Sequence, residues 1–178
     1  NLGVTLGLEE VQKQFELLTG RKPRNQFPSF LLGAEPMSPI EVSELYSNFA
    51  SGGFNLKPKA VISVLDSAGA PLSHHSIVLK QTINPVISNT LNRGLELTMR
   101  RGTGRFSSFA KSGVAGKTGT TNDNRDSWFA GFDDNKLAVF WVGRDDNKST
   151  GLSGASGALK LWDASLRRIG NSPLSIPT

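Results

Sequence analysis

The chain has 178 residues, 37% of them hydrophobic and 20% charged, with no cysteine and a formal net charge of +5. These values fit one ordinary soluble globular domain or a large part of one, and they exclude disulfides and thiolate metal sites. No run approaches the roughly 18 apolar residues of a membrane span, and apart from Arg100, Arg101 and Arg105 the basic residues are scattered, without the interleaved aromatics of a single-strand nucleic-acid platform.

There is no signal-peptide pattern, and the chain opens at Asn1 with an apolar, periodic stretch already under way. The expectation is a piece cut from inside a longer protein. Leu8, Val11, Phe15 and Leu18 predict a helix over 5–19, stopped by Gly20. Residues 21–37 hold three prolines and read as loop. Ser38-Pro39, with Glu41 three residues after the serine, is a helix start; Val42, Leu45, Tyr46 and Phe49 form its apolar face, and Gly52-Gly53 ends it. The β-branched run at 60–65, the turn DSAG and a return strand near Pro71-Leu72 predict a small hairpin.

Asn84-Pro85 opens a further helix by the same cap logic, with Val86, Leu91, Leu95 and Met99 as its apolar stripe and RRGTGR as its end. Strands follow at 114–121, 127–132 and 137–143, and their short connections favour antiparallel pairing. The last, LAVFWVG, is almost continuously apolar, so the expectation is a central strand. A final helix runs from about Ser156 to Ile169, and the tail NSPLSIPT is loop. The fold class is therefore α+β, helices packed on an antiparallel sheet. The domain reading is one unit over 1–170 with a tail at 171–178, because no composition shift splits it.

The string GKT, Gly116 to Thr118, is also the tail of a phosphate-binding P-loop. That motif needs a glycine at 111, where Lys111 stands, and a helix after Thr118, where a Thr/Asn/Asp loop and another strand follow. An extended strand fits better. On an edge strand, free N–H and C=O groups bind an extended peptide as an added strand, and Gly119 admits another backbone closely. Lys117 supplies positive charge, the hydroxyls of Thr118 and Thr120 suit a carboxylate beside it, and a backbone N–H near Thr120 suits an oxyanion.

The longer string GKTGTTNDNRDSWFAGF, followed by LAVFWVGRDD and GLSGASGALKLW, resembles the C-terminal part of the transpeptidase domain of class A penicillin-binding proteins. These are the bifunctional peptidoglycan synthases, and the 1b type is the nearest match. NLGVTLGL, LLGAEPMSPIEVSELYSNFASGG and RRGTGR agree in order, so the likeness runs from Asn1 to about Ile169. The resemblance implies a serine-type reaction built from S-x-x-K, S-x-N and K-T-G. The serine attacks the D-Ala-D-Ala bond of a stem peptide, D-Ala leaves, and the acyl group passes to an amine on a neighbouring peptidoglycan strand; β-lactams trap the serine. It assigns Lys117 an electrostatic or proton-relay role, Thr118, Gly119 and Thr120 to substrate, and the Thr120 N–H to the oxyanion.

By the same resemblance the first two motifs lie upstream of Asn1. The nucleophile is then absent from this chain, and the parent rather than the fragment is the enzyme. The expected partners are stem peptides, β-lactams and the missing N-terminal part of the domain, with no nucleic acid, no cofactor, no metal and no membrane insertion by this chain. The parent is expected at the periplasmic face of the cytoplasmic membrane. The sheet would also lack its N-terminal strands, leaving an unpaired edge. A serine β-lactamase relative and a non-catalytic binding module are the alternatives.

Four further strings read as structural. Ser108-Phe109-Ala110-Lys111 fits S-x-x-K, but only five residues separate its Lys111 from Lys117. Tyr46-Ser47-Asn48 sits mid-helix and reads as core. His74-His75 point apart, with no third ligand pattern nearby, and Asp145-Asp146-Asn147 reads as a turn.

Overall fold

The computed structural model of this protein describes residues 2–176. The first helical stretch is two helices, α1 (Leu2–Leu6) and α2 (Leu8–Thr19), and not the single helix expected over 5–19. Gly7 separates them with φ +89°, a conformation open to glycine and disfavoured for other residues. Gly20 ends α2 in the left-handed region, its N–H on the Glu16 carbonyl. The proline-rich segment that follows contains a 3-10 turn, Pro28–Leu32, which sets Phe30 edge-on against Phe15 at 5.4 Å.

α3 (Pro39–Ala50) starts with the capping box that its sequence announces. The Ser38 hydroxyl accepts the Glu41 N–H, and the Glu41 carboxylate accepts the Ser38 N–H at 2.7 Å. Ser47 and Asn48 are buried, as the core reading requires. Asn48 has no solvent contact. Its Nδ2 donates to the carbonyls of Leu18, Glu44 and Leu45, and its Oδ1 accepts from Thr82. One amide thereby joins the end of α2, the body of α3 and the segment just before the next helix.

Between α3 and that helix, β1 (Phe54–Asn55) pairs antiparallel with β4 (Lys80–Gln81), a pairing too short to read in advance. The expected hairpin is present as β2 (Ser63–Leu65) and β3 (Pro71–His74), with a register shift after Val64. Asp66 holds its turn by accepting the N–H groups of Ala68 and Ala70. His74 lies opposite Ser63 and is exposed.

α4 (Pro85–Arg101) carries the Asn84 cap but turns its expected stripe outward. Val86 is 72% exposed and Leu91 43%, whereas Ser88 and Asn92 are buried. The polar side faces the end of α3, where the Phe49 carbonyl accepts from the Gly52 N–H and also from the Ser88 hydroxyl and the Asn92 amide. Only Met99, of the expected stripe, is fully buried.

Three strands form the main sheet, β5 (Ala115–Thr120), β6 (Ser127–Phe132) and β7 (Leu137–Val142), antiparallel and in the order β5-β6-β7. β6 is therefore central, and β7, expected there, is an edge. Its apolar run reports contact on two faces, with its residues only partly buried, rather than pairing on two edges. Ala138 and Phe140 turn toward α5 (Ala158–Ile169), while Trp141 turns toward α3. The core between sheet and α5 comprises Met99, Val114, Phe129, Ala158, Leu159, Trp162 and Leu166.

Small residues let α5 start against the sheet. A Cβ at Gly154 would meet the Gly119 carbonyl at 2.5 Å, and one at Gly157 the Ser127 hydroxyl at 2.5 Å. The tail has no helix or strand among its described residues, but it is tied down: Leu174 N–H bonds Gly113, and the buried Asp133 carboxylate accepts the Ser172 N–H. Asp145–Asn147 is a turn, with Asn147 at φ +53° and its N–H on the Arg144 carbonyl.

The Asn48 junction yields a stability test. Asn48→Ala removes the acceptor of the short Thr82 bond, leaving that hydroxyl only its 3.2 Å bond to Gly53, and takes one donor each from the carbonyls of Leu18, Glu44 and Leu45; each buried hydrogen bond lost in this way costs on the order of 1 kcal/mol. Urea unfolding is expected to show a loss of about 2–4 kcal/mol, with Thr82→Val losing about 1 kcal/mol.

Candidate active site

β5 is an edge strand along its whole length: among the described residues no strand pairs with its outer side. Which of its groups face outward follows from the ladder. In an antiparallel pair, alternate residues aim both backbone groups at the partner strand. The Thr121 N–H bonds Asp126 at 3.2 Å, so Lys117 and Gly119 also face β6, and Gly116, Thr118 and Thr120 turn N–H and C=O away from it. Two outward carbonyls already have donors. Gly116 accepts from the Thr98 hydroxyl on α4 at 2.5 Å, and Thr118 accepts from Lys117 Nζ at 2.9 Å.

Side chains alternate out of register with the backbone groups. Lys117 and Gly119 share a face with Trp128, Ala130 and Trp141. Lys117 is exposed and is engaged by its neighbour's carbonyl, a contact that solvent or a ligand replaces easily. A Cβ at Gly119 would lie 3.1 Å from that of Trp128, so glycine keeps the strand surface low there. Thr118 and Thr120 belong to the other face. The Thr120 hydroxyl accepts the Gly154 N–H at 2.9 Å, and the Thr118 hydroxyl lies 2.5 Å from that of Thr103.

The Lys117 face closes one side of a cavity of about 870 Å³, within the size range of small-ligand sites. The opposite wall is helical, with Phe15, Phe30, Val42, Leu45 and Tyr46. Burial pushes the Tyr46 phenol up to about 12, so it stays neutral at physiological pH. At the sheet's end Asp126 accepts from the Trp141 indole N–H at 2.9 Å and from the Thr121 hydroxyl at 3.0 Å. It thereby holds both the tryptophan and the turn after K-T-G. That turn passes through Asp123 and Asn124 at positive φ, and the hydroxyls of Ser149 and Thr150 bond their carbonyls.

The cavity's helical wall is braced by charge. Burial pushes the Glu35 carboxyl up, but the N–H groups of Arg24 and Asn25 and the guanidinium of Arg21 outweigh it, and the net shift is downward. For Glu41 the Ser38 N–H is the largest influence, followed by Arg24, and its carboxyl is lowered to about 2.

The four candidate residues are thus contiguous on one strand beside a cavity. The S-x-x-K string is elsewhere. Ser108 donates to Asp163 on α5 through both its N–H (2.9 Å) and its hydroxyl (3.1 Å), and Ser107 donates to the same carboxylate. It serves as an anchor between two segments. Thr98, Thr103 and Asp126 are not marked by any motif in the sequence. The one signal that pointed toward them was the glycine pair in RRGTGR, which marks a chain reversal.

A family model described as the penicillin binding protein transpeptidase domain matches residues 6–160. The chain is 37% identical over 164 residues to penicillin-binding protein 1B of Vibrio cholerae, covering 90% of this chain and 21% of that protein. It is 35% identical over 179 residues to penicillin-binding protein 1B of Escherichia coli, covering 99% and 21%. It spans about a fifth of the length of these curated relatives. Among solved structures, penicillin-binding protein 1A from Haemophilus influenzae superposes with a TM-score of 0.83 at 23% identity, over 98% of this chain and 33% of that one. The PonA1 protein from Mycobacterium tuberculosis in complex with penicillin V gives 0.71 at 19% identity, over 94% and 51%.

The Glu41 environment predicts an acid dependence. Its folded pKa of about 2 lies below the ordinary 4.5, so its contribution to stability is complete above pH 4.5 and is lost as pH falls toward 2. Glu41→Gln is expected to unfold at lower urea at neutral pH and to show a shallower stability loss between pH 4.5 and 2, read from urea midpoints across that range.

Proposed function

The chain belongs to the penicillin-binding protein transpeptidase domain family, and from that premise we propose that it supplies the K-T-G side of a serine D,D-transpeptidase site in a class A, 1b-type peptidoglycan synthase. The observation that carries this reading is the outer edge of β5, which leaves the N–H groups of Thr118 and Thr120 facing outward beside the cavity.

A stem peptide ending in D-Ala-D-Ala adds to this edge as a further antiparallel strand. Its terminal carboxylate lies near Lys117 Nζ and the Thr118 hydroxyl. At about 4 Å and an effective dielectric of 20 the charge attraction is on the order of 4 kcal/mol before desolvation. The Thr120 N–H stabilises the oxyanion of the tetrahedral intermediate. A serine and lysine from S-x-x-K, with a second serine from S-x-N, act from the part of the domain that precedes this chain. D-Ala leaves, and an amine of a neighbouring stem peptide takes the acyl group. β-Lactams enter the same edge and stop at the acyl-enzyme. The unit is 1–170 with a tail at 171–178, and the whole protein is anchored in the cytoplasmic membrane with this domain in the periplasm. No helix among the described residues is long and apolar enough to cross a membrane. The β-lactamase and binding-module readings gain no support from the relatives, which are penicillin-binding proteins.

In the full-length protein, Lys117→Ala is expected to slow acylation by penicillin at least about tenfold, a small part of the charge attraction above, with an unchanged melting temperature. An unchanged rate would reduce Lys117 to a surface charge. The isolated chain, by contrast, is expected to form no covalent adduct with labelled penicillin in intact-mass spectrometry, because an unactivated serine is a weak nucleophile. A stoichiometric adduct that disappears on Ser108→Ala would identify Ser108 as the nucleophile and overturn the assignment.

A further inference from the structure

We propose that Thr103 is a positioning residue for the transpeptidase site: its hydroxyl orients the Thr118 hydroxyl so that the single proton of Thr118 is delivered to the substrate carboxylate. The inference rests on the assignment of Thr118 to that carboxylate.

The two hydroxyls lie 2.5 Å apart, and either can be the donor when no ligand is present. A bound carboxylate removes that freedom. It accepts hydrogen bonds only, so Thr118 must donate to it, and a hydroxyl has one proton. Thr118 can then only accept from Thr103. The order becomes Thr103 O–H to Thr118, and Thr118 O–H to carboxylate, a chain in which each bond polarises the next.

Thr103 is held firmly enough to do this. It opens the 3-10 turn Thr103–Phe106 directly after Gly102. The turn is pressed on the last turn of α4: a Cβ at Gly104 would meet Met99 Sδ at 2.5 Å, and one at Gly102 the Thr98 carbonyl at 2.8 Å. α4 is itself fixed to β5 by the Thr98 hydroxyl on the Gly116 carbonyl. Thr103 is nevertheless exposed, so replacing its hydroxyl disturbs no core. The two glycines of RRGTGR serve to bring this one threonine to the strand edge.

The test is the second-order acylation rate constant of the full-length protein with penicillin and with penicillin methyl ester, which lacks the carboxylate. Thr103→Val is expected to slow acylation by penicillin roughly tenfold, the loss of one bond supporting a charge-assisted one. It is expected to leave the rate with the ester within about twofold, Thr103→Ser is expected to restore the penicillin rate, and the double variant with Thr118→Val is expected to be no slower than Thr118→Val alone. Thr103→Val that is unaffected with penicillin while Thr118→Val is slow overturns the inference alone. Equal slowing with penicillin and ester overturns it too, because it marks a distorted turn. Thr118→Val that leaves the penicillin rate unchanged removes the carboxylate assignment itself, and the inference with it.

Discussion

The hydrogen-bond register between β5 and β6 governs the rest of the site. Because the Thr121–Asp126 pair closes that ladder, parity alone sends the backbone groups of Thr118 and Thr120 outward and the side chains of Lys117 and Gly119 to the cavity. A slip of one residue would exchange the two faces, turning the lysine away from the cavity and toward Thr103 and Gly154. The surrounding structure is arranged to prevent such a slip. Asp126 grips the turn, Gly154 sits on the back of the strand where no side chain fits, and α4 holds the outer carbonyl of Gly116.

What positions the helices around this sheet is largely polar. Asn48 joins α2, α3 and Thr82; Asp163 ties the segment after α4 to α5; Asp133 ties the tail to the β6–β7 turn. Each is a buried group whose hydrogen bonds have fixed directions, so it specifies orientation where apolar contact alone would tolerate sliding. Apolar packing is concentrated between the sheet and α5, where Phe129 and Trp162 meet at 5.1 Å.

The local grammar of the chain was readable. Ser38-Pro39 and Asn84-Pro85 start helices where their caps say they should, Gly20 stops one, and the K-T-G string lies on a strand. What stayed hidden depends on tertiary partners. Hydropathy counts buried faces and is blind to edges, so LAVFWVG read as central although it lies outermost. The stripe of α4 read as core because nothing local reveals that Ser88 and Asn92 bond the Phe49 carbonyl on α3. The strand of the candidate site was legible, but its supports were not: Thr98 and Thr103 reach β5 through space, across more than ten intervening residues.

The β2–β3 hairpin carries a different kind of consequence. Its strands pair only with each other, β1 and β4 tie its base with two residue pairs, and Val61, Ile62, Val64, Leu65 and Leu72 all stand at least 45% exposed. A two-stranded ribbon with so little burial is marginal by itself. Its opening free energy therefore lies far below that of the β5-β6-β7 sheet, and amide protons there exchange through a local event that leaves the core closed. The same property makes the DSAG tip a natural place for proteolytic nicking, and equally for inserting a tag or a fluorophore, at no expense to the strand that carries Lys117.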